Sequence, residues 1–352
     1  MNIKNFRKIE WWIPICALIL CGIGLVALFS ASYDSGLDEF KKQAMWIAVS
    51  IIIMLIVMFV DYKIIIKLSP VLYGLAIIML VAVLFTKPVN GARSWFEIGN
   101  GMFSFQPAEV SKIFFILFLS YVISIIQRKG RNEINKIPKL AIILAVIAVP
   151  LGLIVIEPDY GTAAAYIVAT LLMIFVAGID KKYIIIATVV IAVGVPLAYN
   201  FILPNHAKTR INTFLHPEED PRGSGYNIIQ SKLAIGAGGL TGMGLLKGNQ
   251  TQLGFLYPKT TDFIFSVIGE EMGFVVAGAI IILYVVFITK IIYIAKTAKD
   301  SAGTLISAGI AGIFIFHMIE NIGMVMGLLP ITGVPLPFIS YGGSSMITNY
   351  IM

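Results

Sequence analysis

The stretch "LAIILAVIAVPLGLIVI", from Leu140 to Ile156, contains no charged side chain and no hydrogen-bonding side chain. As an α-helix it would extend about 1.5 Å per residue, which brings its length close to the ~30 Å thickness of a bilayer's hydrocarbon core. A backbone that faces lipid must satisfy its own hydrogen bonds, and a helix does so within one segment. The stretch therefore predicts a membrane-spanning helix.

Similar apolar runs recur along the whole chain. Of its 352 residues, 58% are hydrophobic and 13% are charged, and the mean hydropathy is +0.91, so most of the chain cannot form a water-exposed globular surface. The runs are too long and too uniformly apolar for barrel strands. We predict an all-α polytopic membrane protein, a single membrane-embedded domain over 1–352 with about ten spans. The predicted spans are 12–30, 43–60, 66–85, 107–126, 138–156, 163–179, 183–202, 263–294, 302–326 and 335–352.

The distribution of basic residues predicts the orientation. With the N-terminus in the cytoplasm, 15 of the 26 lysines and arginines lie in inner segments, whereas the short outer loops hold four. This matches the inward bias of basic residues in membrane proteins. The net charge of +7 is then mostly an inward anchor and gives no reason to expect nucleic-acid binding.

Two longer loops are predicted on the outer side, at about residues 86–106 and 203–262. The first alternates aromatic and polar residues, which suits the membrane interface. The second contains "GYNIIQSKLAIGAGGLTGMGLLKG" (residues 225–248), an apolar helix-like stretch followed by glycines, as in a re-entrant or interfacial segment. The chain stops soon after the last apolar run begins, and we expect a truncated C-terminus.

The stretch "YPKTTDFIFSVIGEEMGF", from Tyr257 to Phe274, puts three carboxylates into this apolar background. Asp262 lies at the outer mouth of the eighth predicted span, where either Asp262 or Thr261 could simply cap the helix. Glu270 and Glu271 lie about two turns deeper, where a charge facing lipid costs on the order of 2.5 kcal/mol or more. They need polar partners or a wet cavity.

The fourth predicted span offers such partners. In "QPAEVSK", Glu109 and Lys112 are three residues apart and share one helix face. One interpretation is a self-contained ion pair. In the other, Lys112 also faces Asp262 and keeps it ionised, while Glu109 tunes the lysine. The sequence allows both interpretations.

Several other polar residues have two interpretations. Arg93 and Trp95 suit interface anchoring, and Arg93 also suits binding of a phosphate. Asp159, in "EPDYGTA", is explained by capping of the sixth span, with a contribution to an outer cavity as the alternative. Arg210 is either an anion ligand or a solvated loop residue. Three histidines are too scattered for a metal-ligand spacing and are interpreted as ordinary polar contacts: His206, His216 and His317.

The junction between the ninth and tenth spans, "GLLPITGVPLPFISYGGSS", is rich in proline and glycine. It predicts an irregular backbone at membrane depth, which is tolerated only inside protein or along a cavity. Glu320 and Asn321 precede it within an apolar span and also demand a polar interior. These residues together predict an outward-facing polar cavity for a charged or amphiphilic ligand. A base there suits activation of a sugar hydroxyl, but a proton-coupled transporter would also use buried carboxylates.

Five motifs in order along nearly the whole chain resemble the SEDS family (shape, elongation, division and sporulation; RodA, FtsW and SpoVE), and most of all its elongation-type members. The motifs are "GARSWFEIG…FQPAEVSK", "EPDYGTA", "RINTFLHPEEDPRGSGYNIIQSKLAIGAGGLTGMGL", "TDFIFSVIGEEMGF" and "NIGMVMGLLPITGVPLPFISYGGSS". The resemblance implies a ten-helix peptidoglycan glycosyltransferase of the bacterial cytoplasmic membrane. Such an enzyme polymerises lipid II on the outer face during cell elongation.

The resemblance also implies roles for particular residues. Asp262 matches the family's essential aspartate, the candidate general base, and Glu109 and Lys112 match the fourth-helix pair that faces it. A divalent cation (Mg²⁺ or Mn²⁺) is expected to share the pyrophosphate with basic residues, and no organic cofactor is expected. The candidate residues for binding the substrate or its pyrophosphate are Arg93, Trp95, Asp159, Arg210, Ser340, Gly342 and Gly343.

The family works with a class B penicillin-binding protein, a transpeptidase, so we expect this partner and the elongation machinery besides lipid II and membrane lipid. Two rival functions are an exporter (flippase) of lipid-linked precursors and a non-catalytic scaffold for the transpeptidase. The chain departs from the family pattern just before Asp262, where many members read Pro-Glu-x-His-Thr-Asp. Here Lys259 and Thr260 interrupt that run, so no role for an acid or imidazole at those positions is implied.

Overall fold

The structure is a computed structural model that describes residues 10–87, 93–98, 103–201, 208, 212–221, 223 and 225–352. It consists mainly of helices. The helices are α1 (Trp12–Ala31), α2 (Asp38–Met58), α3 (Tyr62–Val83), α4 (Pro107–Gln127), α5 (Ile137–Ile156), α6 (Tyr160–Ala177), α7 (Lys181–Phe201), α8 (Tyr226–Gly238), α9 (Asn249–Gln252), α10 (Ile264–Thr297), α11 (Ser301–Val325) and α12 (Gly343–Ile351). Short 3₁₀ helices cover Tyr33–Ser35, Arg131–Asn135 and Pro217–Glu219.

The first nine predicted spans agree with these helices. Among the described residues, eight helices are long and apolar enough to cross a membrane, namely α1 to α6, α10 and α11. Helix α7 adds 21 further residues at the position of the seventh predicted span. The prediction of an all-α polytopic membrane protein is confirmed.

The first predicted loop contains a feature that the sequence did not reveal. Two three-residue strands, β1 (Phe96–Ile98) and β2 (Phe103–Phe105), pair antiparallel, with Phe96 opposite Phe105. The alternation of aromatic and polar residues in this loop therefore reflects a strand period of two, and its position at the membrane interface remains a prediction. The hairpin leads directly into α4, which carries Glu109 and Lys112.

Helix α11 lies at the centre of the bundle and contributes to both of its apolar clusters. Phe314 belongs to the cluster formed with α1, α10 and α12, whereas Ile313 belongs to the cluster formed with α3 to α6. Close approach depends on a small residue: a Cβ atom at Gly312 would lie 2.6 Å from the Cα of Ala169 in α6. Small residues at such crossings let helices pack closely in a membrane, where apolar burial itself drives little association. Residues on α11 are thereby fixed relative to α4 and α6.

Helix α10 is broken at Gly273, whose φ of 75° and ψ of −176° are not helical. The break would leave two carbonyls and two N–H groups unpaired, which is costly in an apolar setting. The segment after α8 supplies the missing partners. Four backbone bonds join the two parts: Met243 N–H to Glu270 O (2.9 Å), Gly244 N–H to Glu271 O (3.0 Å), Phe274 N–H to Gly239 O (2.9 Å) and Val275 N–H to Leu240 O (3.1 Å).

Glu270 and Glu271 find their partners in this same loop and not in α4, so that expectation was wrong. Glu270 accepts hydrogen bonds from the backbone N–H groups of Gln250 (2.7 Å) and Thr251 (3.0 Å) and from the Thr251 hydroxyl (2.7 Å). Glu271 accepts from the Gln252 side-chain amide at 2.8 Å. A carboxylate at the N-terminus of α9 satisfies N–H groups that a helix leaves unpaired. The two glutamates therefore hold the long loop against α10.

The tenth predicted span began too early. Residues 326–342 are almost entirely irregular, and α12 starts only at Gly343. Pro335 and Pro337 lack the N–H group that a helix requires. Their carbonyls accept bonds from side chains instead, with the Tyr284 hydroxyl donating to Pro337 O. The predicted irregular backbone at this junction is confirmed.

The break in α10 leads to a test of stability. Replacement Gly273→Ala would force a non-glycine residue into this conformation and put its Cβ 2.2 Å from the Gly242 nitrogen. We expect a loss of at least about 2 kcal/mol in the free energy of unfolding, measured by thermal denaturation in detergent. The control is Gly278→Ala in the same helix, where a Cβ meets no atom within 4 Å. It should be neutral or slightly stabilising. Equal behaviour of the two variants would contradict this account.

Candidate functional site

Asp262 lies two residues before the first residue of α10, in a half-buried position. The N-cap residue of α10 is Phe263, and it makes no side-chain capping bond. Neither Asp262 nor Thr261 occupies the capping position, so the capping interpretation was wrong. The aspartate therefore needs another explanation.

Three consecutive carbonyls fix the backbone at Asp262. Their donors come from α11 and from the irregular segment 326–342, two parts of the chain far from residue 262 in sequence. Thr260 O accepts from Tyr341 N–H (3.0 Å), Thr261 O from the Ser340 hydroxyl (2.8 Å), and Asp262 O from the Asn321 side-chain amide (3.0 Å). The position of Asp262 is thus determined by tertiary contacts rather than by helix geometry.

The predicted pair on α4 is present and completely buried. Lys112 Nζ lies 2.7 Å from Glu109 Oε1, and the side chains are 1% and 3% exposed. The lysine has a second partner: its Nζ lies 3.2 Å from His317 Nε2 on α11. An ion pair of this kind is tolerated inside a protein only when further hydrogen bonds satisfy its polar atoms. His317 supplies one such bond and is itself 3% exposed.

One face of α11 connects this buried cation to Asp262. His317 and Asn321 are four residues apart and therefore lie one above the other on the helix. His317 Nδ1 lies 3.1 Å from Pro335 O, while Asn321 Nδ2 lies 2.9 Å from Val334 O as well as 3.0 Å from Asp262 O. The two side chains hold adjacent carbonyls of one loop. The cation and the aspartate thus share a single rigid support.

Asp159 lies at the start of α6, next to the loop that His317 and Asn321 hold. It caps α6 by accepting from Thr162 N–H (3.1 Å) and from the Thr162 hydroxyl (2.9 Å), as predicted, and it also accepts from Gln106 Nε2 at 2.8 Å. The first turn of α6 contacts the segment around Asp262: a Cβ at Gly161 would lie 3.0 Å from Thr332 O, and one at Gly333 would lie 3.5 Å from Asp262 Oδ2. Asp159 is therefore close to the site and does more than cap a helix.

The other predicted residues have structural contacts. Arg93 is exposed and donates to Leu84 O at 3.0 Å. Ser340 and Gly342 are used to hold the chain, the first through Thr261 O and the second through Gln43 Oε1 at 3.1 Å. Trp95 is half-buried, Gly343 packs against Trp46, and Arg210 lies outside the described residues. Binding of substrate by these residues remains a prediction.

Two important residues were not recognised in the sequence. His317 was interpreted as an ordinary polar contact, and Gln43 on α2 was not considered. Gln43 is 1% exposed and binds the backbone on both sides of Tyr341, accepting from Gly342 N–H and donating to Ser340 O at 3.0 Å. The sequence signal for either residue is an amide or imidazole side chain within an apolar span, since such a group must have a hydrogen-bond partner when it is buried.

The described residues contain no group of three or more histidines, cysteines or carboxylates that could hold a metal ion. Asp262 by itself does not make a protein-built metal site, because a hard divalent cation needs several oxygen ligands. The expected Mg²⁺ or Mn²⁺ therefore remains a prediction. What the described residues offer is a half-buried carboxylate at Asp262 and a buried, paired cation at Lys112, both linked to α11 through Asn321 and His317.

Comparison with known proteins identifies the family of the chain. The family model for the FtsW, RodA and SpoVE proteins, described as a cell cycle protein, matches residues 10–352. The chain belongs to this family. This match confirms the resemblance to the SEDS family, of which these are the members.

Individual relatives cover almost the whole chain. Peptidoglycan glycosyltransferase MrdB of Escherichia coli K12 is 36% identical over 353 residues, which cover 98% of this chain and 92% of that protein. RodA of Treponema pallidum, also named a peptidoglycan glycosyltransferase, is 30% identical and covers 100% and 97%. A solved chain from a peptidoglycan synthase complex that coordinates polymerization and crosslinking superimposes with a TM-score of 0.84 at 26% identity, over 97% of this chain and 94% of that one.

Glu157 is a further buried carboxyl group near the site, in the short loop between α5 and α6. It is 0% exposed, and neither of its carboxylate oxygens has a hydrogen-bond partner among the described residues. Burial, and then the nearby charge of Asp159, raise the pKa of Glu157 to about 8. The folded protein therefore holds this proton at neutral pH, whereas the unfolded chain releases it near its usual value of 4.5.

This proton predicts a pH dependence of stability. A raised pKa stabilises the folded state fully below pH about 4.5, and the contribution is lost as the pH rises through about 8. Relative to Glu157→Gln, the wild type should lose up to about 1.4 kcal/mol per pH unit within this window. Thermal denaturation in detergent at several pH values measures the difference. Parallel profiles for the two proteins would show that Glu157 is ionised in the folded state.

Proposed function

We propose that this multi-pass membrane protein is a peptidoglycan glycosyltransferase that polymerises lipid II during cell elongation. The observation that carries the proposal is the support that joins Asp262 to the buried Glu109–Lys112 pair through α11. Relatives that span nearly the whole chain carry the same name for their activity. The site faces the outer surface of the cytoplasmic membrane if the N-terminus is cytoplasmic, as the basic residues favour.

In the proposed reaction, Asp262 is the general base. It takes the proton from the 4-hydroxyl of the acceptor's GlcNAc, and that oxygen attacks the anomeric carbon of the donor's MurNAc. The bond from the anomeric carbon to the pyrophosphate breaks, its electron pair leaves with undecaprenyl pyrophosphate, and the configuration inverts. A position at the membrane surface suits a substrate whose sugar is hydrated and whose tail is in lipid.

The lysine supports this chemistry through its charge. Because Lys112 Nζ is buried beneath the surface, it does not meet the sugar directly; its positive charge favours the negative charge that builds up on the pyrophosphate as it leaves. Glu109 compensates the lysine and keeps it in place. The structural resemblance to a chain of a polymerizing and crosslinking complex supports a transpeptidase partner, a class B penicillin-binding protein.

Reconstitution with lipid II tests the proposed base. Purified wild-type protein, with its transpeptidase partner, should form glycan strands, and Asp262→Asn should lower the rate at least about 100-fold, because a positioned general base contributes about 10²- to 10⁴-fold. The matched control is Asp300→Asn at the N-cap of α11, where asparagine caps equally well. It should retain activity.

The rival functions predict other results from the same vesicles. Lipid II that crosses the bilayer without forming polymer would favour an exporter. Unchanged polymer yield with Asp262→Asn would favour a scaffold. Either result would overturn the assignment of Asp262 as a general base.

A double replacement separates the two interpretations of the buried pair. Lys112→Met alone leaves the Glu109 carboxylate buried without its cation and should cost about 3–5 kcal/mol of stability. Adding Glu109→Gln removes that charge and should restore most of the stability, measured by thermal denaturation. We expect strand synthesis to remain low in the stable double variant. Recovery of synthesis along with stability would mean that the pair is a structural feature only.

A further inference from the structure

We propose that His317 is a positioning residue of this site, which fixes the ammonium group of Lys112 and joins it to the segment carrying Asp262. The proposal rests on the proposed function, because it gives His317 a part in the same reaction. The His317 side chain is 3% exposed and lies inside the bundle, so it is not placed to touch a substrate at the surface. It would act through Lys112.

The partners of His317 determine its protonation. Pro335 O can only accept a hydrogen bond, so His317 Nδ1, at 3.1 Å, must carry the proton. The ammonium group of Lys112 can only donate, so Nε2, at 3.2 Å, must present its lone pair. The ring is therefore neutral, in the Nδ1–H tautomer. Each nitrogen has a different partner, so the orientation of the ring is also determined.

This arrangement does more than fill space. A lysine side chain is a flexible stem with rotatable donors, and one bond to Glu109 would leave the ammonium group free to swing about that contact. The second bond, from a different helix, fixes its position. The interaction of two charges depends on their separation, so an ammonium group that moves away acts less on the charges of the site. Pro335 belongs to the same loop whose neighbouring carbonyl, Val334 O, is held together with Asp262 O by Asn321.

The test compares replacements that keep or remove the two bonds. Glutamine can accept from Lys112 through its carbonyl oxygen and donate to Pro335 O through its amide, whereas phenylalanine and leucine can do neither. In the reconstituted strand-synthesis assay, His317→Phe and His317→Leu should lower kcat about 10- to 100-fold, with KM within about twofold of wild type. His317→Gln should stay within about threefold of the wild-type kcat. Rates are normalised to folded protein, measured by size-exclusion chromatography.

A double-mutant cycle distinguishes positioning from a structural role. In the Glu109→Gln/Lys112→Met background, His317→Phe should cause no further loss of kcat, because the residue it acts through is absent. A structural role in holding Pro335 predicts the same loss in both backgrounds and would overturn the proposal. Equal kcat values for the phenylalanine, leucine and glutamine variants would also overturn it.

A spectroscopic measurement keeps the proposal testable without activity. The chain has three histidines, and in protein labelled with ¹⁵N-histidine the His317 signals are those lost in His317→Gln. They should report the neutral Nδ1–H tautomer near neutral pH, and the Nε2 signal should shift in the Glu109→Gln/Lys112→Met protein. A cationic ring or the other tautomer contradicts the proposal. If these signals are as expected while the wild type makes no polymer, the proposed function fails and the link to Lys112 stands.

Discussion

A buried ammonium group is the constraint on which the site depends. Lys112 carries a positive charge inside an apolar bundle, where an unpaired ion would be expelled or neutralised. Glu109 supplies the counter-charge from the same helix, and His317 supplies a hydrogen bond from α11. Because the second partner is on another helix, α4 and α11 cannot move apart without exposing the charge. The need to pair the Lys112 charge therefore also fixes how closely α4 and α11 pack.

The need to pair buried polar groups also determines how the N-terminal half of α10 is held. A helix broken at Gly273 exposes peptide groups, and the loop after α8 pairs with them. Glu270 and Glu271 then bind N–H groups of the loop around α9. Four peptide groups around the break therefore have partners in the loop, and the loop packs against α10. Asp262 lies two residues before the half-helix that this loop contacts.

The first nine spans and the irregular junction before the tenth could be predicted from the sequence because they depend on local composition, namely long apolar runs and the dense prolines near Pro335. The Glu109–Lys112 pair was also predictable, since residues three apart share a helix face. The partner of a buried group could not be predicted in the same way. His317 lies 205 positions from Lys112, and the N–H groups bound by Glu270 belong to a loop that folds back. Such pairs depend on tertiary packing, which no local pattern records.

The way Asp262 is held determines what its replacement can reveal. The bonds that fix residues 260–262 are accepted by backbone carbonyls and donated by Tyr341, Ser340 and Asn321. A change of the aspartate side chain leaves all three carbonyls in the chain, so the segment keeps its attachments. The position of a catalytic residue within a regular helix is set by the helix geometry. The position of a capping residue is set by the hydrogen bonds that its own carboxylate accepts. At Asp262 the three backbone bonds do not involve the carboxylate, so replacing the side chain retains them, and a loss of activity would not be due to their loss.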